Sequence, residues 1–472
     1  MKQTTKEILE IEHNEEILSE RFSYCNYHFW PLIRYEFLAA MIASIYGIKQ
    51  VKSGAICRQS PFKLIRYIFL SFLKRPSNIK RRYDFIYFGP GSSNIRQGNY
   101  YLNRLTDYYY NVSIGTSVVI EDSFNYNYRR PRSIKDLYYL DWIRFHSKLR
   151  AKFEMKFCPN SDLQSAVDDF IQFLKINSRH SITNEKYDEL RNLLLRRIYE
   201  MPFLVRYYSK LIHTIAPRAI FINGCCYGSY AGILANIAKK MNVCVLEIQH
   251  GMVASDHIAY NYFIKDINKY RQYLPDYFLT FGKYWSEIIE LPVKRLEIGH
   301  PYLEESLNLY KREKQQVVLF VSSSLNAPKE TQFVIALKKE LDKLGYQLYF
   351  RIHPLDYDTY QMKYKDIIHA GILIDRDNLY KVLSVTKYVI GEVSTVLYEA
   401  LKFRTVIMGL ETDYSKGVNP DFVNVITTVD DVVKLIRYPV SSKVDVEYFW
   451  KENWEINFKC LLTSILNKNN AG

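Results

Sequence analysis

The feature that most constrains the fold is a series of apolar, strand-like runs that end abruptly in small or polar residues. Three of these ends carry chemically useful side chains: Gln249-His250-Gly251, Arg351-Ile352-His353-Pro354 and Gly391-Glu392-Val393-Ser394-Thr395. An open α/β sheet forms its ligand site outside the carboxyl ends of its strands. The sequence therefore predicts such sheets, with a site for a phosphate-bearing small molecule where these runs end.

Strand-like and helical segments alternate along most of the chain, which predicts parallel sheets with helices on both faces. Residues 1–75 and 160–215 have helical patterns instead. The predicted fold class is α/β, with two doubly wound, Rossmann-like domains facing a cleft and a helical N-terminal extension. The predicted strands are 83–89, 117–120, 218–223, 243–248, 277–281, 317–321, 347–352, 388–390 and 405–408.

The length of 472 residues favours more than one domain, because one hydrophobic core rarely grows that large. A polar, charged stretch at 301–315 marks the division between the two sets of strands. The last 25 residues have the pattern of an amphipathic helix. The predicted segments are a helical, basic N-terminal region (1–80), two Rossmann-like domains (81–300 and 301–440) and a C-terminal helix that packs back (441–472).

Composition points to a cytoplasmic protein. No apolar run reaches the 18 residues of a membrane span, and the charged N-terminus lacks the apolar core of a signal peptide. The seven cysteines form neither Cys-x-x-Cys pairs nor a disulfide framework. We therefore expect reduced thiols in a cytosolic environment.

The net charge of +14 is concentrated near the N-terminus, since 37–83 contains ten Lys or Arg and no acidic residue. Within it, 62–75 mixes bulky apolar residues with cations, as in helices that lie on anionic membranes. Nucleic acid is the rival partner, but no nucleic-acid-binding motif is present, and a core-facing helix with a basic loop is the structural alternative. The predicted membrane-binding residues are Lys63, Arg66, Lys74, Arg75, Lys80, Arg81 and Arg82.

Gln249-His250-Gly251 is the first candidate for catalysis. A histidine at the carboxyl end of a strand can act as a general base toward an acceptor hydroxyl. Gly251 permits close approach of a ligand to the backbone. Glu247 and Asp256 are the carboxylates nearest in sequence, and a structural loop histidine is the alternative interpretation.

Two later motifs are candidates for binding a phosphate. Arg351 and His353 stand two residues apart, which places them on one face of a strand, and both side chains can donate to phosphate. Ser394 or Thr395 is expected to cap the helix that follows, whose first N–H groups attract anions. A sheet-edge His-Pro turn and an ordinary helix cap are the alternatives. Further candidates for donor contacts are Ser322, Ser323, Pro354, Glu392 and Glu399.

Other motifs do not support a different chemistry. Asp375-Arg376-Asp377 fits the D-x-D pattern of metal-dependent sugar transferases, but it is more simply the start of a helix, and no metal is expected. The sequence contains no dinucleotide-binding glycine fingerprint, phosphate-binding Walker loop, zinc-protease motif or nucleophile elbow.

These motifs resemble those of GT-B-fold glycosyltransferases of bacterial surface-polysaccharide synthesis, over about residues 215–410. Arg351–Pro354 resembles the His-Pro motif of sialyltransferases and Kdo (3-deoxy-manno-octulosonate) transferases, and Ser394-Thr395 resembles their Ser/Thr motif. The acidic base motif of the sialyltransferases is absent, and Gln249–Gly251 stands at its position. A first His-Gly with a later His-Pro also resembles CDP-glycerol glycerophosphotransferases.

The resemblance implies that 81–300 binds an acceptor and 301–440 binds a nucleotide-sugar donor, with no cofactor. The implied function is transfer of a sugar, Kdo or another nonulosonate, from a CMP-sugar to a lipid-linked or glycan acceptor in capsule or lipopolysaccharide synthesis. The alternatives are a glycerophosphotransferase, a UDP-sugar transferase and a non-catalytic membrane-surface scaffold. His250 is expected to be the base, with Glu247 orienting it or Asp256 replacing it. Both carboxylates are nucleophile candidates if the transfer is retaining.

Overall fold

The structure, a computed structural model, describes residues 3–47, 61–323, 327–353, 356–357, 359–412, 415–416, 423–439 and 444–468. The chain divides into two compact units. The N-terminal unit is Met1–Phe281, Trp285–Ile298 and Asn453–Gly472, and the C-terminal unit is Gly282–Tyr284 and Gly299–Glu452. The change of unit after Ile298 lies close to the predicted boundary after residue 300. The helices of the predicted region 1–80 belong to the same unit as the first sheet.

A parallel sheet of seven strands forms the centre of the N-terminal unit. Across the sheet, the order is β7-β6-β5-β4-β1-β2-β3, so strand order reverses between β1 and β4. Such a reversal opens a crevice at the carboxyl ends of the strands. In chain order the strands are Phe85–Gly89 (β1), Ser117–Glu121 (β2), Leu137–Tyr139 (β3), Ala219–Ile222 (β4), Cys244–Ile248 (β5), Tyr277–Thr280 (β6) and Lys294–Glu297 (β7).

The C-terminal unit repeats this plan with six parallel strands. Their order is β10-β9-β8-β11-β12-β13, with the reversal between β8 and β11. In chain order they are Val317–Val321 (β8), Gln347–Arg351 (β9), Leu373–Asp375 (β10), Tyr388–Gly391 (β11), Val406–Leu410 (β12) and Asn424–Ile426 (β13).

Both sheets are covered on both faces. Every residue of β1, β2 and β8 is buried, although successive side chains of a strand point to opposite faces. The structure thus confirms the predicted α/β class with two doubly wound units, the pair of units that the GT-B resemblance implies. All nine predicted strands are present, and four short strands at the sheet edges, β3, β7, β10 and β13, were not predicted.

Helices supply the covering layers. In the described part of the chain they are Gln3–Leu9 (α1), Trp30–Ile45 (α2), Pro61–Leu73 (α3), Asp107–Val112 (α4), Asp141–Phe157 (α5), Ser161–Asn177 (α6), Asn184–Ile215 (α7), Ser229–Lys240 (α8), Ile267–Arg271 (α9), Lys283–Glu287 (α10), Pro301–Leu309 (α11), Ala327–Lys343 (α12), Tyr360–Lys363 (α13), Lys365–His369 (α14), Leu379–Val385 (α15), Thr395–Lys402 (α16), Val429–Arg437 (α17), Val446–Phe449 (α18) and Trp454–Lys468 (α19).

The C-terminal helix α19 belongs to the N-terminal unit. Its residues Trp454, Phe458, Leu462 and Ile465 recur at three- or four-residue spacing and are buried in the core of the first sheet. The ring of Phe458 lies 4.6 Å from that of Tyr109 in α4. This apolar face explains why α19 folds back onto the first unit.

A buried ion pair ties the helical N-terminal region to the rest of its unit. Arg34 of α2 and Glu12 are 1% and 0% exposed, with Nε and Oε1 2.5 Å apart. Arg34 also donates to the carbonyl oxygens of Ile258 (2.6 Å) and Asn261 (2.8 Å). Glu12 accepts the Phe263 N–H at 2.9 Å. These bonds fix the loop that follows β5.

We expect Arg34→Met to lower the free energy of unfolding by about 3–5 kcal/mol, because it leaves the Glu12 carboxylate buried without its partner. Adding Glu12→Gln should restore part of that loss. Urea unfolding would measure both effects, with Arg21→Met as the control. Arg21 pairs with Asp169 at the surface, where a pair contributes about 0–1 kcal/mol. A loss no larger than that of the control would contradict the anchoring role of Arg34.

Candidate functional site

The turn after β5 is held rigidly against β6. Gln249 is fully buried, and its side-chain amide accepts the Phe281 N–H and donates to the Gly251 carbonyl, both at 2.9 Å. Its own N–H donates to Leu279 of β6. Because both ends of the Gln249 amide are engaged, the backbone on either side of His250 is fixed.

His250 lies at the carboxyl end of β5, as predicted, and is partly buried. Its Nδ1 is 3.5 Å from the Tyr260 hydroxyl. Burial lowers the pKa of His250 to about 4, and the charges of His257 and Arg104 act in the same direction. The imidazole is therefore neutral at pH 7 and has a lone pair for accepting a proton.

A second histidine, His257, lies in the same loop and was not among the predicted site residues. Its Nε2 is 3.2 Å from the Tyr227 hydroxyl, and its Nδ1 accepts the Ala259 N–H at 3.2 Å. Burial lowers the pKa of His257 to about 4. The available signal in the sequence was a second histidine seven residues after His250, in a loop of small residues.

Glu247 lies within β5 and has no solvent exposure. Its Oε2 accepts the Cys226 N–H at 2.7 Å, and its Oε1 is 3.3 Å from the donating Tyr260 hydroxyl. Burial raises the pKa of Glu247 to about 7, against the hydrogen bonds that lower it. Asp256, the other predicted carboxylate, is half-buried in the loop that carries His257.

In the C-terminal unit, the predicted residues after β8 and β11 form one buried hydrogen-bond network. Ser322 Oγ donates to Glu330 at 2.6 Å. Ser323 Oγ lies 2.9 Å from Glu330 and 3.0 Å from Glu392. Thr412 also donates to Glu392. These side chains hold the strand ends together from inside the protein, since Glu330 and Glu392 are each 1% exposed.

Arg351 has an internal partner. It pairs with Asp375, which stands directly opposite it on the neighbouring strand β10, and it donates to the Asp377 carbonyl at 3.1 Å. The D-x-D residues therefore fix Arg351 and precede α15, which Asn378 caps with its side chain. Helix α15 begins soon after the D-x-D, as predicted, although Asp375 itself is the last residue of strand β10.

His353 follows the end of β9 and is half-buried. Burial lowers its pKa, while the Asp356 carboxylate acts in the opposite direction. The backbone carbonyl of His353 accepts the Asp356 N–H at 2.9 Å. Pro354, also predicted to contact the donor, lies outside the described residues.

Helix α16 begins as predicted. The Ser394 side chain caps it by accepting the Val396 N–H at 3.2 Å, and Thr395 is its first residue. Glu399, one turn further along, is 3% exposed. The amino end of α16 directly follows the carboxyl end of β11, next to Glu392.

The predicted membrane-binding residues lie on and after α3. Lys63, Arg66, Lys74, Lys80, Arg81 and Arg82 are exposed and Arg75 is half-buried. Phe62, Ile65 and Phe69 on the same helix are 84%, 65% and 58% exposed. Within the described ranges, no helix has the length and hydropathy needed to cross a membrane, and no three His, Cys, Asp or Glu side chains are placed to hold a metal ion.

The structure brings together His250, His257 and Glu247 through Tyr227 and Tyr260 in the N-terminal unit. In the C-terminal unit, Ser322 and Ser323 lie in one network with Glu392, whereas Arg351 forms an ion pair with Asp375. The tyrosines were not predicted because a chain with 41 of them gives no local reason to single out two.

Comparison with protein-family models gives no match, and comparison with curated proteins gives none either. Among solved structures, a UDP-GlcNAc 2-epimerase from Methanocaldococcus jannaschii is 12% identical with a TM-score of 0.44, covering 80% of this chain and 99% of that one. A putative UDP-N-acetylglucosamine 2-epimerase from Listeria monocytogenes is 9% identical with a TM-score of 0.48, covering 83% and 98%. The wall teichoic acid polymerase TagF, determined with CDPG, is 12% identical with a TM-score of 0.41, covering 86% and 97%.

Proposed function

We propose that this protein is a GT-B-type transferase in which His250 deprotonates the hydroxyl of an acceptor. The observation that carries the proposal is the position of the His250 imidazole at the carboxyl end of β5, 3.5 Å from the Tyr260 hydroxyl, where burial lowers its pKa. A base must be unprotonated before it accepts a proton, and burial keeps His250 in that form at pH 7.

The proton transfer accompanies the transfer of a group from the donor to the acceptor. The acceptor oxygen forms a bond to the transferred carbon or phosphorus as its proton passes to Nε2 of His250. The bond from that atom to the donor phosphate oxygen breaks, and the nucleotide leaves with the electron pair. Glu247 has no exposure, so we assign it an indirect role through Tyr260, and Asp256 is the alternative carboxylate in the loop.

We assign donor binding to the C-terminal unit. The first N–H groups of α16, with Ser394 and Thr395, are suited to a phosphate, because helix amino ends attract anions. The imidazole of His353 and the remaining N–H groups of the Arg351 guanidinium are the side-chain candidates. Charge on the leaving nucleotide would be stabilised by these groups. The buried Ser323, Glu330 and Glu392 network supports the strand ends from which this binding surface is built.

We propose a cytidine nucleotide as the donor carrier, because of the motif resemblance at Arg351–Pro354 and Ser394-Thr395. A CMP-linked sugar, Kdo or another nonulosonate, is our first choice. CDP-glycerol is the alternative within the cytidine class, since a first His-Gly with a later His-Pro fits it equally. The acceptor we propose is a glycan or lipid-linked glycan of the bacterial surface.

Cytidine nucleotides should raise the melting temperature of the protein, because a ligand that binds only the folded state stabilises it. We expect CMP or CDP to act and His353→Ala to abolish the effect, with His369→Ala in α14 as the control. Thermal shift and calorimetry with CMP, CDP, UDP and GDP would measure this. A preference for UDP or GDP would refute the cytidine assignment, and no response to any nucleotide would favour a non-catalytic scaffold.

His250→Ala should reduce kcat by about 10²- to 10⁴-fold, the usual contribution of a general base. The control is His213→Ala, an exposed histidine of α7. Transfer would be assayed with CMP-sugars, CDP-glycerol and UDP-sugars. Wild-type activity in His250→Ala, together with loss in Asp256→Asn, would move the base to Asp256.

The pH dependence of kcat/KM should also reflect the lowered pKa of His250. Its imidazole becomes protonated, and so inactive as a base, only as pH falls through about 4. The pKa that His250 contributes to the acid limb of the kcat/KM profile should therefore lie well below 6.5, the pKa of an ordinary histidine. Transfer rates between pH 3.5 and 9 would measure it, and a limb near 6.5 that disappears in His250→Ala would contradict the assignment.

We also propose that the protein is cytoplasmic and binds the inner face of the plasma membrane through α3 and α5. On α5, Phe145, Leu149, Phe153 and Phe157 recur every four residues and are 49–61% exposed. The two helices are joined by the ring contact of Phe72 with Trp142 at 4.9 Å. Exposed apolar rings beside cations suit an anionic lipid surface, where rings enter the interface and cations attract headgroups.

Replacing Lys63, Arg66, Lys74, Lys80 and Arg82 by Gln should weaken binding to phosphatidylglycerol vesicles at least about tenfold, since each cation near such a surface contributes about 1 kcal/mol. The double variant Phe153→Ser and Phe157→Ser tests the α5 face. The control replaces five lysines of the C-terminal unit, Lys338, Lys339, Lys343, Lys365 and Lys381. Equal co-sedimentation of all variants with vesicles would refute the membrane proposal.

A further inference from the structure

The hydroxyl group of Tyr260 stands between the two ionisable side chains of the candidate active site. It is 3.3 Å from Glu247 Oε1 and 3.5 Å from His250 Nδ1. Tyr260 is 1% exposed, and its ring packs against Phe278 with centroids 5.0 Å apart. The hydroxyl therefore links the buried carboxylate to the imidazole within the protein interior.

The directions of the hydrogen bonds follow from a count of protons. Ala259 N–H donates to His257 Nδ1, so neutral His257 must carry its proton on Nε2, facing the Tyr227 hydroxyl. The Tyr227 hydroxyl therefore accepts the His257 N–H, and the Tyr227 ring meets that of Tyr260 edge-on with centroids 5.9 Å apart.

Tyr260 has one proton and two lone pairs to distribute. Its proton goes to Glu247, because above its pKa of about 7 the Glu247 carboxylate is mainly ionised and can only accept. Its oxygen is then an acceptor toward His250. An acceptor at this position requires the proton of neutral His250 to be on Nδ1, which leaves the Nε2 lone pair for a substrate.

The position of Tyr260 is fixed from outside the site. The Arg34 guanidinium donates to the carbonyl oxygens of Ile258 and Asn261, on either side of Tyr260 in sequence. The Asn261 side chain donates to the Ala254 and His257 carbonyls at 2.9 Å. The loop thus has few ways to move the Tyr260 hydroxyl away from His250.

We propose that Tyr260, supported by Glu247, is a positioning residue that holds neutral His250 in the Nδ1–H form. When His250 accepts the acceptor proton on Nε2, its Nδ1–H keeps the same bond to Tyr260, and the Glu247 carboxylate lies one bond further along to stabilise the new positive charge. This inference rests on the proposed role of His250 as a base, because only then does the position of the lone pair matter to function.

The direct test is the tautomer of His250 in the full-length protein. Long-range ¹H–¹⁵N correlation spectra of ¹⁵N-histidine-labelled protein at pH 7.5 distinguish the two neutral forms, and the His250→Gln spectrum identifies the signal. We expect the Nδ1–H form in the wild type and a shift toward the Nε2–H form in Tyr260→Phe. The matched control is Tyr262→Phe, which removes a buried hydroxyl bonded to the Cys226 carbonyl instead.

Turnover provides a second readout. Tyr260→Phe should lower kcat about 10- to 100-fold, part of the effect of removing a general base, with KM little changed. Tyr262→Phe should change kcat less than threefold. A wild-type Nε2–H signal, or a Tyr260→Phe spectrum identical to wild type, would overturn the inference. If the tautomer is as expected but His250→Gln retains full activity, the proposed function fails and the positioning geometry stands.

Discussion

The Arg34–Glu12 ion pair is the interaction on which the candidate active site most depends. Burying two charges is costly unless each charge is paired and its remaining hydrogen-bonding groups are satisfied. Here the guanidinium also binds two loop carbonyls, and the carboxylate also binds Trp30 Nε1 and the Phe263 N–H. Removing either partner would leave an unpaired buried charge, so the helical N-terminal region and the loop after β5 must fold together.

Burial has opposite effects on the carboxyl group of Glu247 and the imidazole of His250. Burial disfavours whichever form is charged, so the pKa of Glu247 rises and the pKa of His250 falls. The pKa values of the two groups are therefore exchanged in order. A neutral histidine lies beside a glutamic acid that titrates near neutral pH. A solvent-exposed pair would keep the ordinary order, with the histidine holding its proton more tightly than the carboxylate.

In the C-terminal unit, several of the predicted ligand-binding side chains form hydrogen bonds or ion pairs within the protein, either with one another or with residues of neighbouring strands. Arg351 meets Asp375 because the parallel register of β9 and β10 places the two residues side by side. Ser323 bridges Glu330 and Glu392 because β8 and β11 are neighbours at the point where strand order reverses. The polar residues at these strand ends therefore form an internal hydrogen-bond network, and the cap and first turn of α16 lie next to it.

The sequence alone determined the alternation of strands and helices, the two-domain division and the position of His250 at a strand end. Central strands are recognisable because they are buried on both faces and form unbroken apolar runs. The edge strands β3, β7, β10 and β13 lack that signal: they have three or four residues each, and Lys294 and Arg295 of β7 are exposed. Only the tertiary structure decided which side chains pair with one another. Arg34 reaches Ile258 from 224 residues away, and Tyr260 reaches Glu247 only when the loop closes onto β5. Hydrophobic periodicity specifies local elements, whereas partner, tautomer and pKa depend on distances and burial that exist only in the folded chain.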